Sequence, residues 1–314
     1  MRRRPLGKTG LDVSELALGT WGLSGDGYGP VPEVEQDRVI DRARALGITL
    51  FETADSYAGG AMERRLGERL GADPLARIVT KIGTDRDASV PRKRFDAPYL
   101  KQAIEHSAER LKRQVLDVVL LHNPSAQAIG QGEACELLAE LHGAGKLRAW
   151  GVSAGSPDVA RAAIAKGAGV ISLAYNVFAT SDLGSLVDDI EKNDVGVLAH
   201  SVLAYGLLCG HWSRDKVFAD NDHRAERWTP DELERRIRQL DAVRPSVGGP
   251  ILTMRAAALR FALEHKKVGA VLLGPKSSLQ LDQLVREAGK GPPYMESWVQ
   301  VALKNRLREL GVDA

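Results

Sequence analysis

The feature that most constrains this chain is a rhythm. Short β-rich apolar runs alternate with longer helical patterns along nearly all of its 314 residues. Strands are predicted at Glu15–Trp21, Thr49–Ala54, Arg77–Ile82, Leu116–His122, Leu147–Ser153, Val170–Tyr175, Val195–Ser201 and Gly269–Gly274. Their apolar centres do not alternate strictly with polar residues, as expected of strands covered on both faces by helical crossovers. Helices are predicted between them at Val34–Leu46, Met62–Leu70, Tyr99–Arg113, Ala134–Ala144, Pro157–Lys166, Leu183–Lys192, Pro230–Ala242, Thr253–Glu264 and Leu279–Ala288. In the clearest, Leu100, Ile104, Ala108 and Leu111 recur at three- and four-residue spacing.

Eight strand–helix units without a break favour a closed (β/α)₈ TIM barrel over an open α/β sheet. An open dinucleotide fold would also carry a GxGxxG turn after an early strand, and neither Gly59–Gly60 nor Gly206–Gly210 supplies one. A short N-terminal β-hairpin, Arg4–Leu6 with Val13–Leu16, is expected to cap one barrel mouth, and an additional C-terminal helix near Met295–Leu310 to pack outside the ring. The long connection Leu203–Trp228 is a candidate loop over a ligand. With no linker, repeat or low-complexity tract, residues 1–314 read as one domain.

Charge narrows the function. Lys and Arg number 43 against 41 Asp and Glu, so there is no concentrated basic character to suggest nucleic acid or an anionic membrane. The apolar runs are too short to span a bilayer, and MRRRPLGKTG has no apolar segment behind its charges. Two cysteines form neither a disulfide framework nor a zinc cluster, which points to a reducing, cytoplasmic setting without a metal.

The predicted strands carry Glu52, Lys81, His122, Ser153 and His200 at or near their C-terminal ends, with Tyr57 and Lys276 just beyond. Barrel enzymes build their sites on that face. Alone, each residue is more commonly a loop or packing residue; the convergence is the signal. A phenol with a pKa of about 10 is a poor proton donor near neutrality, and a cation beside it favours the phenolate. Lys81 is therefore expected to lower the pKa of Tyr57, with Glu52 orienting Lys81 and His122 donating a hydrogen bond to a substrate oxygen.

Several segments in order resemble one family. They are Leu18-Gly19-Thr20-Trp21, Phe51-Glu52-Thr53-Ala54-Asp55-Ser56-Tyr57, the strand ending at Lys81, Leu120-Leu121-His122-Asn123-Pro124, and Gly145 through Ser153. Tyr175-Asn176 and Ala204 through Gly210 continue the series. From Arg4 to Leu284 the chain resembles the aldo-keto reductases. The resemblance implies reduction of an aldehyde or ketone by direct hydride transfer, with NADP(H) favoured and NAD(H) left open. It makes Tyr57 the acid, with Lys81 and His122 as its partners, and puts Glu52 where the family has aspartate. It also implies cofactor contacts from Gly19, Thr20, Trp21, Ser153, Ser172, His200, Ser201, Leu203, Gly274, Lys276, Ser277, Gln280 and Gln283.

The sequence departs from the family pattern at Glu52, Ala154, Ser172, His200, Val202 and Leu284. A glutamate moves the carboxylate about 1–1.5 Å further than an aspartate, so reduced or specialised activity is expected, with Glu52→Asp keeping or raising it. The departures also motivate an alternative, a cofactor-binding regulatory or interaction protein with little turnover. Retention of Tyr57, Lys81 and His122 together argues against that. Trp21, Asn123, Trp150 and Phe178 are candidate walls for a small carbonyl substrate, although Trp150, three residues before Ser153, is expected to pack in the helical layer instead. The chain is compatible with a monomer or a homo-oligomer.

Overall fold

The computed structural model describes residues 1–86, 88 and 90–312. Eight strands close into a parallel barrel: β1 (Leu16–Gly19), β2 (Leu50–Glu52), β3 (Arg77–Ile82), β4 (Leu116–His122), β5 (Leu147–Ser153), β6 (Val170–Ala174), β7 (Gly196–His200) and β8 (Val268–Leu273). Each pairs with its sequence neighbours, and the register Val271↔Leu16 closes β8 on β1. The expected barrel is present, and β3, β4 and β5 have the predicted bounds.

Helix starts are written locally. Asp96 caps Ala97–Leu111 by accepting from Tyr99 N, and Ser156 caps Pro157–Ala165 with proline in the first turn. Thr229 and Glu232 form a reciprocal capping box on Pro230–Gln239. Thr253 and Ser277 cap Met254–Glu264 and Ser278–Ala288. These side-chain oxygens satisfy amide hydrogens that have no partner within the helix.

Two layers of apolar packing share the strands. The barrel interior holds Ala17, Leu50, Val79, Val118, Leu120, Ala149, Val170, Leu198, Ala270 and Leu272. The opposite strand faces, with residues such as Phe51, Ile78, Val119, Trp150, Ile171 and Val271, join the helical ring in a larger core. The predicted hairpin forms from Arg3–Pro5 and Asp12–Ser14 and closes the N-terminal mouth. Its turn drives Leu6 into the barrel bottom, where a Cβ on Gly196 would lie 2.7 Å from Leu6 and one on Gly269 3.2 Å away. Glycine at both positions makes room for that plug. The final helix is present as Ser297–Glu309.

Some expectations fail locally. The strand predicted to run to Trp21 stops at Gly19, and Trp21–Ser24 forms a helical turn ended by left-handed Gly25. The helix predicted over Leu183–Lys192 is two pieces, Ser181–Ser185 and Val187–Asn193. They meet at Leu186, whose φ of −105° breaks the axis while its side chain stays buried. Gly184 and Ser185 hold a helix weakly, so packing of Leu186 decides the break. A two-residue hairpin, Thr84–Asp85 with Arg92–Lys93, was not predicted because its strands are too short to show periodicity. No helix among the described residues is long and apolar enough to cross a membrane.

Candidate active site

The floor of the site extends the interior rows of the barrel. Side chains two residues apart on a strand share a face. The row containing Leu50 therefore reaches Glu52, Val79 leads to Lys81, Leu120 to His122, Val170 to Ser172 and Leu198 to His200, while Ala149 leads through Gly151 to Ser153. All six of these polar residues line one cavity of about 970 Å³ at the C-terminal mouth, at the upper end of the range of about 300–1,000 Å³ for ligand sites. Register sets their order: His122 lies beside Ser153, and Ser153 beside Ser172.

Tyr57 reaches this floor from the turn after β2. Its amide donates to Ala54 O at 3.1 Å, and the Asp55 amide donates to Lys81 O at 2.9 Å, tying the turn to β3. Ala58 follows with a left-handed φ of 48°, and its amide donates to the Asp26 carboxylate at 2.7 Å. Arg86 donates to Ser56 O. The Tyr57 ring stands edge-on to His122, with centroids 6.1 Å apart.

Lys81 Nζ makes a direct ion pair with Glu52 and lies 4.7 Å from the Tyr57 ring centroid. Lys81 and Glu52 are 3% and 7% exposed, so this is a buried pair whose charges each depend on the other. Burial, with Lys93 second, pulls the Lys81 pKa well below the usual lysine value. The expected lowering of the Tyr57 pKa does not appear. Burial pushes it above the ordinary phenol value, with Asp26, Tyr28 and Asp55 adding to the rise. The physical reason is that water is excluded from the phenol and the neighbouring acidic groups add to the cost of ionising it. Tyr57 is therefore held protonated.

His122 is pulled down to about 2, chiefly by burial and then by Lys81, Lys93 and His200. His200 falls to about 4, by burial and then Lys81, and its Nδ1 lies 3.0 Å from Ser201 Oγ. His265, against Tyr175 outside the floor, also falls to about 4, mainly through burial. Unfolded histidines titrate near about 6.5, so between that value and the folded ones the unfolded chain binds more protons. The histidine contribution to stability is full above about pH 6.5 and is lost as pH falls. Asp55 works against this, because burial and Glu63 raise it to about 7 and the folded state then takes up its proton first. With His223, also lowered mainly by burial, the histidines outweigh Asp55 and Asp117, whose carboxyl burial also raises, so the urea midpoint should drop from about pH 7 to about pH 5, and drop less in His265→Phe. A midpoint that rises on acidification contradicts this balance.

The other predicted residues separate by geometry. Ser153 Oγ donates to Asn123 Oδ1 at 3.2 Å, and both line the cavity. Gly19, Trp21, Ser201, Leu203, Gly274, Lys276 and Gln280 line it as well. Thr20, Ser277, Gln283, Trp150 and Phe178 are not among its lining residues. Thr20 follows inward-facing Gly19 and points the other way. Trp150 alternates with interior Ala149 and packs in the helical layer, 4% exposed. Gln280 and Leu284 line the cavity while Gln283, on the same helix, does not, and the Ser277 hydroxyl accepts from Gln280 N at 3.2 Å. Phe178 packs on the outer core, with the Arg236 guanidinium 5.6 Å from its ring.

The predicted loop over the site exists, and its contacts are what sequence reading missed. The loop after β7 is stitched to the loop after β1: His223 N donates to Gly27 O at 2.9 Å, and Tyr28 bridges Asp222. Trp21 and His223 rings lie 4.7 Å apart, Arg224 donates to Tyr205 O at 3.2 Å, and Arg227 lies 3.5 Å from the Tyr205 ring centroid. Lys276 Nζ reaches Tyr28 O beneath this roof. Aromatics interleaved with Arg224 and Arg227 were its available signal. One trench is lined by Tyr57, Ser153, His200, Lys276 and Gln280 together. Unpartnered His122 Nδ1 shows a floor with hydrogen-bonding capacity to spare.

The sequence model described as the Aldo/keto reductase family matches residues 15–290. Aldo-keto reductase YhdN of Bacillus subtilis is 27% identical over 92% of this chain and 89% of its own length. L-galactose dehydrogenase of Arabidopsis thaliana is 28% identical over 90% of this chain and 86% of its own. Among solved structures, the glycerol dehydrogenase AKR11B4 from Gluconobacter oxydans superposes with a TM-score of 0.85 at 24% identity, covering 99% of this chain and 97% of that one. The holo form of aldo-keto reductase AKR11C1 from Bacillus halodurans gives 0.80 at 22%, covering 99% and 96%. These two likenesses concern the fold.

Proposed function

Because this chain belongs to the aldo/keto reductase family, we propose that it is an NADP(H)-dependent oxidoreductase that reduces a small aldehyde or ketone to its alcohol, with Tyr57 as proton donor. The observation that carries this reading is the meeting of Tyr57, the Glu52–Lys81 pair and His122 at one end of a trench lined further along by Ser153, His200, Ser201, Lys276 and Gln280.

A bound dihydronicotinamide supplies a hydride; the chain supplies placement, electrostatics and the proton. His122, neutral through the physiological range, donates an N–H to the carbonyl oxygen without adding a second buried charge beside Lys81. Tyr57, held protonated, passes its proton to that oxygen as negative charge builds on it, and Lys81 stabilises the phenolate left behind. The C–O double bond becomes a single bond, carbon gaining the hydride and oxygen the proton. In the reverse direction the Tyr57 phenolate takes the alcohol proton. Ser153, fixed by Asn123, keeps acceptor capacity for the nicotinamide amide, and the His200 imidazole offers a face for its ring.

Lys276 favours NADP over NAD, because its ammonium at the far end of the trench matches an added phosphate. Single-turnover oxidation of NADPH with a panel of aldehydes tests the reading. Hydride transfer in the wild type is expected, and Lys276→Met should cut the preference for NADPH over NADH by about tenfold. Tight NADPH binding without oxidation by any carbonyl overturns the enzyme assignment. An unchanged cofactor ratio in Lys276→Met overturns the role of Lys276.

A further inference from the structure

The short hairpin after β3 adds charges that the reaction above does not use. Arg86 and Lys93 both line the cavity that contains Tyr57. They enter from β3, four strands round the barrel from β7 and across the mouth from the trench assigned to the cofactor. Lys93 Nζ donates to Thr84 Oγ1 at 2.8 Å, and Arg86 donates to Ser56 O. Both partners are neutral. The hairpin carboxylate, Asp85, pairs instead with Arg92 at 3.5 Å and Arg94 at 3.7 Å. Among the described residues no carboxylate makes a salt bridge with Arg86 or Lys93.

Further along the trench the cations divide: Arg227 and Lys276 line the cavity with no carboxylate salt bridge among the described residues, whereas two others are paired. Arg255 makes a two-pronged pair with Glu287, with contacts of 2.5 and 2.7 Å, and Arg224 pairs with Asp222. Among the described residues, the other acidic groups near the hairpin are Asp26, which accepts from Ala58 N, and Asp55, whose carboxyl titrates near neutrality. Neither cancels two cations. The charge of Lys93 reaches the floor, where it disfavours protonation of both Lys81 and His122. Lys93 and Arg86 are themselves exposed at the cavity mouth, open to an entering molecule. Clefts with low-dielectric walls focus such a field onto an entering molecule.

We propose that Arg86 and Lys93 form a subsite for an anionic group on the substrate, so that the preferred carbonyl compound carries a carboxylate or a phosphate. The inference rests on the reductase reading for the carbonyl, but the anion subsite has its own readout. A carboxylate or phosphate supplies the charged acceptor that Thr84 and Ser56 do not, and the planar guanidinium of Arg86 can grip it with two parallel bonds. Binding there leaves the far end of the same molecule facing Tyr57 and His122.

Matched pairs test this at saturating NADPH: succinic semialdehyde against its methyl ester, and glyceraldehyde phosphate against glyceraldehyde. The wild type is expected to favour at least one anion over its neutral partner by about tenfold or more in kcat/KM, with the difference carried mainly by KM. The pair showing the larger ratio identifies carboxylate or phosphate. Raising salt should shrink the ratio, and Lys93→Gln with Arg86→Gln should abolish it. Turnover of neutral aldehydes with no preference for anions overturns the subsite while leaving the reductase reading intact. Weaker NADPH binding in Lys93→Gln also overturns it, by assigning the cation to the cofactor. If no carbonyl is turned over, titration calorimetry with succinate and inorganic phosphate decides. Binding lost in the double variant supports the subsite, and binding that is absent or equal in both proteins removes it.

Discussion

Tyr57→Phe is expected to lower the single-turnover rate of hydride transfer by about 10²–10⁴-fold, the usual contribution of a positioned acid, while the protein still folds and binds NADPH. The ring stays, so its edge contact with His122 and the cation contact with Lys81 persist. Only the transferable proton is lost. Burial holds the Tyr57 pKa above the ordinary phenol value, which also fixes the sign of the pH response. Reduction uses the protonated phenol and should be level across neutral pH. Oxidation of the alcohol uses the phenolate and should rise with pH. A reduction rate in Tyr57→Phe close to wild type would give the proton to another group.

Glu52→Gln should produce the largest loss of stability. It keeps the size of the side chain but leaves Lys81, 3% exposed, without its carboxylate. Removing one partner of a buried pair typically costs about 3–5 kcal/mol, because the other charge stays buried and uncompensated. Lys81 can relieve part of this by losing its proton, since burial already depresses its pKa. Hydride transfer should then fall as well, because a neutral amine no longer stabilises the phenolate. Urea unfolding alongside single turnover separates the two losses. Glu52→Asp restores the charge but retracts it by about 1–1.5 Å. The expectation from sequence that aspartate keeps or raises activity is checked by the same single-turnover assay. Stability should largely return with the carboxylate, and a rate well below wild type would mean that the longer glutamate places Lys81 better. Wild-type stability in Glu52→Gln would mean that Lys81 is already neutral in the folded protein.

Much of the site was legible because its residues sit at strand ends, where chain order and a two-residue period suffice. Glu52, Lys81, His122, Ser153, Ser172 and His200 continue interior rows, so finding the strands nearly finds the floor. Trp150 shows the same period at work on the other face, as the sequence favours. It lies on a site-bearing strand, three residues from Ser153, and alternation turns it into the helical layer. Gln283 fails on a helix, where its neighbours Gln280 and Leu284 line the trench and it does not.

The roof and the mouth were not legible. His223 meets Gly27, and Lys276 meets Tyr28, across about 200 residues or more of chain. Neither pairing has a periodic signal. The hairpin that brings Arg86 and Lys93 to Tyr57 has two-residue strands, too short for any pattern.

The sequence by itself determined the barrel, the mouth at which the polar residues gather, and the tyrosine, lysine and histidine found there. Those follow from local rules of strand period, helix capping and turn chemistry, each acting over a few residues. Only the tertiary structure decided how the charges behave. It set Glu52 directly on Lys81, kept the Tyr57 proton in place and left Arg86 and Lys93 at the mouth with no carboxylate salt bridge among the described residues. Electrostatic energy depends on burial and on distance through space, and neither is written in the order of residues along the chain.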